Sequence, residues 1–176
     1  HTDYKKSYYT KEWYTAEEEI RMMQRFQHVV CVSQVIKDSI MEVIGDPGNL
    51  VVCYNPLNQV DILNKAAEPV EDIHRSQRPL FVTVGRLNLQ GDWFLSSSRY
   101  EGFSYVSQEA AIIGKPLVLT DCAGVKELLG TEENGIIMEN SFAGIYYGMK
   151  EALDHPEEGA RFVERMSAHE PTYYWE

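Results

Sequence analysis

The chain alternates short apolar runs with amphipathic segments. The apolar runs, typical of buried parallel strands, cover residues 29–33, 50–54, 80–86, 92–96, 117–120 and 135–138. Segments with apolar residues at helical spacing cover residues 16–26, 34–44, 105–113, 142–153 and 157–167. Strands that alternate with helices predict an α/β protein built on a Rossmann-like parallel sheet.

Several predicted helices carry recognisable start and stop signals. Ser33 and Ser104 are expected N-caps, and Asn140 or Ser141 serves the helix that runs to about residue 153. Gly45 and the Gly114-Lys-Pro segment are expected to end the helices before them. Glu101 then lies in a loop, and Glu109 lies more than one turn inside a helix.

The composition shifts between residues 59 and 79, where the chain becomes polar, acidic and weakly periodic. We interpret this stretch as an interdomain linker. Residues 1–58 then form the end of an incomplete first domain, and residues 80–155 form a second domain. Residues 156–176 supply a last helix and an aromatic tail.

One connection is too short for a parallel sheet. Only six residues, 86–91, separate two expected strands, whereas neighbouring parallel strands need a crossover of a dozen or more residues. Either the sheet is irregular there, for example through an antiparallel pair, or a piece of chain is absent. The chain also begins at His1 rather than Met, which favours a fragment.

Charge and composition exclude several classes of protein. Sixteen Lys and Arg residues against 27 Asp and Glu residues give a net charge of −11, which argues against nucleic-acid binding and against adhesion to anionic lipid. No apolar run approaches the ~18 residues of a membrane span. Three cysteines without CxxC spacing predict reduced, packed thiols in a cytoplasmic protein.

The densest candidate chemistry lies in the stretch from Arg99 to Glu109. Glu101 and Glu109 are eight positions apart, and Gly102, Phe103 and Ser104 follow the first of them. Main-chain N–H groups at a helix start, next to two carboxylates, suit a ligand that carries phosphates and hydroxyls. Taken alone, two glutamates are more often a solvated surface pair.

Together with other segments, this stretch resembles the retaining GT-B glycosyltransferases of family 4, the group 1 glycosyl transferases. The resemblance runs in the family's order over most of residues 28–140. It rests on Cys31-Val-Ser33, Tyr54-Asn-Pro56, Val84-Gly-Arg-Leu87, Ser98-x-x-Glu-Gly-Phe-Ser104 with Glu109, Gly114-Lys-Pro116, and Gly124-Val-x-Glu127. The two glutamates then correspond to the family's EX7E motif.

The resemblance implies a function and a role for several residues. It implies transfer of a sugar from a UDP- or GDP-linked donor to a saccharide or lipid-linked acceptor, with retention of configuration. Glu101 would contact the transferred sugar and Glu109 the ribose. The N–H groups around Gly102 to Ser104 would meet the donor phosphates and sugar, and Arg86, after Gly85, would neutralise the leaving diphosphate. Glu127 is interpreted as a helix-terminus or surface group.

No metal site and no cofactor are expected. The five histidines lack ligand spacing and no Asp-x-Asp pair is present, as in a metal-independent GT-B enzyme. The family's lysine after the Gly-Arg turn has no counterpart, so we infer that a segment of about 30 residues or more is missing between Gln90 and Gly91. Most of the acceptor-binding domain would also be missing before His1.

Other interpretations stay open. A two-carboxylate glycosidase would also flank its substrate with glutamates, but it would leave the phosphate-binding features unexplained. A non-catalytic nucleotide-sugar-binding remnant and a purely structural α/β fragment are the remaining alternatives.

Overall fold

The computed structural model describes residues 15–69, 81–82 and 92–168, and it contains two parallel sheets. Strands β1 (Val29–Cys31) and β2 (Leu50–Val52) form the first sheet. The second sheet has the order β3-β4-β5-β6, with the strands Phe81–Val82, Trp93–Ser96, Leu117–Thr120 and Ile136–Met138. Every strand pair is parallel, so the α/β class with parallel sheets is confirmed.

The described helices alternate with the strands. They are α1 (Ala16–Met23), α2 (Gln34–Ile44), α3 (Gln59–Ala66), α4 (Tyr105–Ile112), α5 (Val125–Leu129), α6 (Phe142–Asp154) and α7 (Pro156–Ala168), with a 3-10 turn at Glu132–Asn134. We call residues 15–58 the first lobe. The second lobe is β3 together with residues 92–168.

Each lobe has its own apolar core. In the first lobe, Ile40 and Ile44 of α2 pack with Cys31 and Leu50 of the sheet. In the second lobe, alternate residues of β5 face opposite sides of the sheet. Leu117 and Leu119 enter one buried cluster and Val118 enters another. Because helices cover both faces of this sheet, all four residues of β5 are buried.

The predicted helix starts are confirmed at three serines. The Ser33 hydroxyl accepts the Ile36 N–H at 3.2 Å, and the Ser104 hydroxyl accepts the Ser107 N–H at 3.3 Å. Ser141, rather than Asn140, caps α6 by accepting the Gly144 N–H. Each bond satisfies one of the N–H groups that a helix leaves unpaired in its first turn.

The structure departs from the expected elements in three places. Helix α3 forms inside the stretch interpreted as a linker, because Asn58 caps it through the Asp61 N–H and it packs against α4. Helix α5, Val125–Leu129, lies outside every segment that the apolar spacing predicted to be helical. Val30 in β1 is 59% exposed, so this strand is parallel as predicted but is not fully buried.

The short connection joins two parallel neighbours. Phe81 pairs with Trp93 in parallel register, so the antiparallel alternative is wrong. The residues between β3 and β4 lie almost wholly outside the described ranges, and the missing segment between Gln90 and Gly91 stays a prediction, as do the domain limits. Of the three cysteines, Cys31 and Cys122 are buried as expected, whereas Cys53 is exposed, so the prediction that it is packed is wrong. None of these three cysteines, all of which lie in the described ranges, forms a disulfide bond.

Within the described ranges, no helix combines the length and apolar character needed to cross a membrane.

Replacing Gly144 by alanine is expected to destabilise the fold, although alanine is the better helix former. A Cβ atom there would lie 2.2 Å from the main-chain oxygen of Glu139. Forcing this backbone apart should cost about 1–3 kcal/mol of unfolding free energy, measured by urea titration. The control is Ala143→Gly, at the exposed neighbouring position of α6, which should cost only the propensity difference of about 1 kcal/mol. A stabilised Gly144→Ala protein would contradict the packing described.

Candidate functional site

A pocket opens at the carboxyl ends of β4 and β5, beside the N-terminus of α4. In open parallel sheets this edge is where ligands bind. The pocket is lined by residues of two segments, 96–107 and 119–128: Ser96, Ser98, Glu101, Ser104, Ser107, Leu119, Thr120, Cys122, Ala123, Gly124, Val125 and Leu128. Hydroxyl groups and one carboxylate therefore dominate its polar wall.

The pocket is narrow in this conformation. It encloses about 290 Å³ of space between atoms, part of it open to solvent, but the centre of a water molecule has only about 10 Å³ available. A space of that size holds roughly one water molecule. A larger ligand would enter only after a wall of the pocket moves.

The structure brings some of the predicted site residues together and separates one. Glu101 and Ser104 line the pocket. Phe103 is 4% exposed and packs into the core below, and Gly102 is half-buried between them. Glu109 does not line this pocket. The pKa of Lys65 in α3 is raised mainly by the hydrogen bond and charge of Asp61, and the charge of Glu109 makes the smallest contribution. Gly85 and Arg86 lie outside the described residues.

The loop before Glu101 is fastened to the end of β5. The main-chain oxygen of Ser98 accepts hydrogen bonds from the Thr120 hydroxyl at 2.5 Å and from the Cys122 thiol at 2.8 Å. The main-chain oxygen of Arg99 accepts a bond from the Asn140 amide at 3.0 Å. Since these donors lie at the edge of the sheet, they fix the position of the main chain just before Glu101.

The loop after Glu101 is held by the first lobe. The Ser33 hydroxyl donates to the Gly102 oxygen at 3.4 Å, and the Asn55 amide donates to the Phe103 oxygen at 3.1 Å. Tyr54 packs its ring against Phe103, with centroids 5.2 Å apart. Residues distant in sequence therefore fix the main chain that follows Glu101.

Gly124 closes the other side of the same loop. Its φ is +81°, and a Cβ atom there would lie 2.2 Å from the Gly102 oxygen. Only glycine both adopts this backbone conformation easily and allows such an approach. The start of α5 is thus packed directly on the loop.

Glu127 joins the two lobes. Its carboxylate accepts the N–H groups of Gln34 at 3.0 Å and Val35 at 3.2 Å, in the first turn of α2. It also accepts the Tyr54 hydroxyl. A carboxylate at a helix N-terminus is favoured by the helix dipole as well as by these bonds. Glu127 lies in the first turn of α5 and is half-buried, so of the two interpretations the helix-terminus group is confirmed rather than the surface group, and its carboxylate also caps the helix of the other lobe.

The environment of Tyr54 makes its phenol harder to ionise. Burial, then the hydrogen bond to Glu127 and the charge of that carboxylate, raise the pKa of Tyr54 from 10 to about 12. The native state therefore favours the protonated phenol. Its contribution to stability is complete below pH 10 and is lost as the pH rises through 12.

Sequence reasoning missed Ser33, Asn55 and Glu127 as neighbours of the site. All three lie in segments that carry the family resemblance, but nothing in their local pattern predicts a contact across the lobes. No group of three His, Cys, Asp or Glu side chains that could hold a metal ion occurs in the described part of the chain.

The packing of Gly124 on the loop can be tested with a matched pair of variants. Gly48 has nearly the same φ, +84°, but apart from its chain neighbours no atom lies within 4 Å of the place that a Cβ would occupy. Gly48→Ala should therefore lower the free energy of unfolding by only about 1–2 kcal/mol, the cost of placing alanine in a left-handed backbone conformation. Gly124→Ala should lose about 1–3 kcal/mol more, because the Gly102 oxygen must move. Equal losses in urea unfolding would show that the loop yields freely.

Replacing Glu127 by glutamine should weaken the junction of the lobes. The amide nitrogen cannot accept a hydrogen bond, so one N–H or hydroxyl donor loses its partner, at a cost of about 1–3 kcal/mol in urea unfolding. The pKa of Tyr54 should also fall from about 12, as followed by NMR of labelled tyrosine rings, with Tyr54→Phe to assign the signal. Glu151→Gln, at an exposed position, is the control. An unchanged Tyr54 pKa would contradict the contact.

Comparison with solved structures gives the same architecture at low sequence identity. Sucrose-phosphate synthase from Thermosynechococcus elongatus matches 87% of this chain with a TM-score of 0.65 and 12% identity, over 56% of its own chain. A glycosyltransferase from Rickettsia africae matches 87% with a TM-score of 0.68 and 14% identity, over 60% of its chain. HepE from Anabaena, solved in complex with UDP, matches 89% with a TM-score of 0.61 and 15% identity, over 63% of its chain.

This chain therefore spans less than two-thirds of the length of these structures. The likeness confirms a GT-B type of fold, of which the described residues form a part. No curated protein sequence matches the chain significantly. A family model described as glycosyl transferases group 1 matches residues 43–155, more than half of the sequence. The chain thus belongs to the group 1 glycosyltransferases.

Proposed function

We propose that this chain carries the donor-binding part of a glycosyltransferase that moves a sugar from a nucleotide-sugar donor to an acceptor hydroxyl with retention of configuration. One observation carries the proposal. Glu101 and Ser104 meet in a pocket at the carboxyl edge of a parallel sheet, where helix α4 begins. HepE, which shares the fold, has been solved with UDP and with UDP-glucose.

The chemistry of this pocket suits the two halves of such a donor. A carboxylate accepts hydrogen bonds from neighbouring hydroxyls, so Glu101 would bind the transferred sugar. The N–H groups from Gly102 to Ser104 and the positive end of the α4 dipole would attract the diphosphate. When the bond between sugar and phosphate breaks, negative charge grows on the leaving diphosphate, and oriented N–H groups stabilise it. Arg86 after Gly85 would add a cation.

Glu109 would serve the nucleoside rather than the sugar. It lies on α4 but outside the pocket that Glu101 lines, close enough to α3 for its charge to act on Lys65. A ribose diol placed along this side of α4 would donate hydrogen bonds to the carboxylate. The two glutamates of the EX7E motif would then contact different parts of one extended ligand.

The narrowness of the pocket implies movement on binding. Because only about 10 Å³ is available to a water centre, the donor would have to displace a wall. The loop around Gly102 is held by the first lobe and by Gly124, so the wall that moves would lie elsewhere in the pocket lining. Opening would therefore leave the contact between the lobes in place.

Two carboxylate variants separate the roles of the motif. Glu101→Gln should weaken binding of UDP-glucose while leaving binding of UDP unchanged, because only the sugar contact is altered. Glu109→Ala should weaken both ligands by about 1–3 kcal/mol, as for the loss of a charged hydrogen bond. Isothermal titration calorimetry measures the four affinities, and GDP and GDP-mannose are tested in parallel for the choice of base.

The controls define what each result means. Glu164→Gln, at an exposed position of α7 that does not line the pocket, removes the same charge and should leave binding unchanged. Binding should also survive EDTA, since the proposal needs no metal ion. Binding without sugar transfer or donor hydrolysis would favour a non-catalytic remnant. If no nucleoside diphosphate binds, a structural role alone would remain and the proposal would fail.

A further inference from the structure

Two consecutive peptide groups after Glu101 are oriented by the first lobe. The carbonyl of Gly102 points to the Ser33 hydroxyl, and the carbonyl of Phe103 points to the Asn55 amide. Ser33 is completely buried, so its bond is shielded from water. Through these two bonds, side chains of the first lobe hold the main chain of the loop in place.

Fixing a carbonyl also fixes the N–H group of the next residue. In a planar trans peptide the C=O and the following N–H point in opposite directions, and the described chain has no cis peptide bond. With the Phe103 carbonyl turned to the first lobe, the N–H of Ser104 points away from it. By the same argument, the Phe103 N–H points away from the first lobe, because the Gly102 carbonyl in the same peptide group is turned to Ser33. Ser104 itself lines the pocket.

The peptide groups have little freedom to rotate. The Gly102 oxygen is in close contact with Gly124, whose Cβ would lie 2.2 Å from it. The Phe103 side chain is buried and packed against the Tyr54 ring at 5.2 Å between centroids. A turn of either peptide plane would disturb contacts on both sides.

We infer that Asn55 is a positioning residue for donor binding: from the first lobe it aims the Ser104 N–H at the donor phosphates held in the second lobe. The inference rests on the proposed function for the identity of the ligand. Its physical content is that part of the donor site's geometry is set by a side chain that does not touch the donor. Binding energy for the nucleotide sugar then depends on the contact between the lobes.

Asn55 is the better residue to test than Ser33. The Ser33 hydroxyl has one proton, which it gives to Gly102, and it also accepts the Ile36 N–H as the cap of α2. Replacing it would break both bonds and destabilise the helix. The Asn55 amide has no capping role among its described bonds, so its replacement reports on the loop.

Asn49 provides the matched control. It lies in the same lobe, is half-buried as Asn55 is, and donates its amide to the main-chain oxygens of Met23 and Phe26 at 2.8 Å. These bonds stay within the first lobe. Asn49→Ala therefore removes the same kind of bond and weakens the same lobe without releasing the loop.

The experiment measures UDP and UDP-glucose binding by calorimetry and amide hydrogen exchange by NMR, on the full chain. Asn55→Ala should raise the Kd of both ligands roughly 3–10-fold, in line with one lost hydrogen bond. It should also speed exchange of the Ser104 amide, and the signal of this amide should shift less on addition of UDP. Asn49→Ala should leave the two Kd values and Ser104 exchange unchanged while lowering the urea midpoint.

Each outcome decides the inference. If the unaltered chain binds and Asn55→Ala binds equally well, or if Asn49→Ala weakens binding as much, Asn55 does not position the site. If the unaltered chain binds neither ligand, the proposed function fails, and Ser104 exchange decides the rest: faster exchange in Asn55→Ala alone supports positioning of the loop, and unchanged exchange overturns it. Asn55→Ser, a milder change, replaces Asn55→Ala if that protein does not fold.

Discussion

The carboxylate of Glu127 is the contact on which the arrangement of the two lobes depends. It takes three hydrogen bonds from the first lobe while its own helix, α5, is anchored in the core of the second. Since α5 begins at Gly124, which lies against the Gly102 oxygen, the same helix joins the lobes and presses on the loop. The contact that joins the lobes and the contact that fixes the loop at the candidate site are therefore both made by α5.

Contacts between distant segments explain why the residues that carry the resemblance are spread along the chain. Segments near residues 33, 55, 103 and 124 are far apart in sequence, yet they meet around two peptide groups. The segments near residues 33, 55 and 124 fix the position of the segment near residue 103, and they do so without any contact to a ligand. Gly124 allows the close approach of α5 to the loop, and the side chains of Ser33 and Asn55 orient its two carbonyl groups. Glu127 holds the two lobes together through its hydrogen bonds.

The sequence predicted the local features because local chemistry determines them. The apolar run of β5 and the caps Ser33, Ser104 and Ser141 depend on neighbouring residues only, so their positions could be inferred. The helix α3 was missed because its apolar face is weak and its packing partner is α4, many residues away. The partners of Glu127 could not be inferred, since no periodicity relates α5 to α2.

The candidate site divides in the same way, into features that the sequence predicts and features that depend on long-range packing. Placing Glu101 and Ser104 together at a helix start followed from their spacing, whereas placing Glu109 toward α3 required the observed packing of the two helices. The parallel pairing of β3 with β4 is likewise a long-range result, because a short link by itself favours an antiparallel pair.

The narrow pocket has a consequence for the affinity of any ligand. Only the fraction of molecules with a displaced wall can bind, so the apparent Kd is the intrinsic Kd divided by that fraction. A substitution outside the pocket that changes this fraction would change the apparent Kd by the same factor, without altering any contact to the ligand.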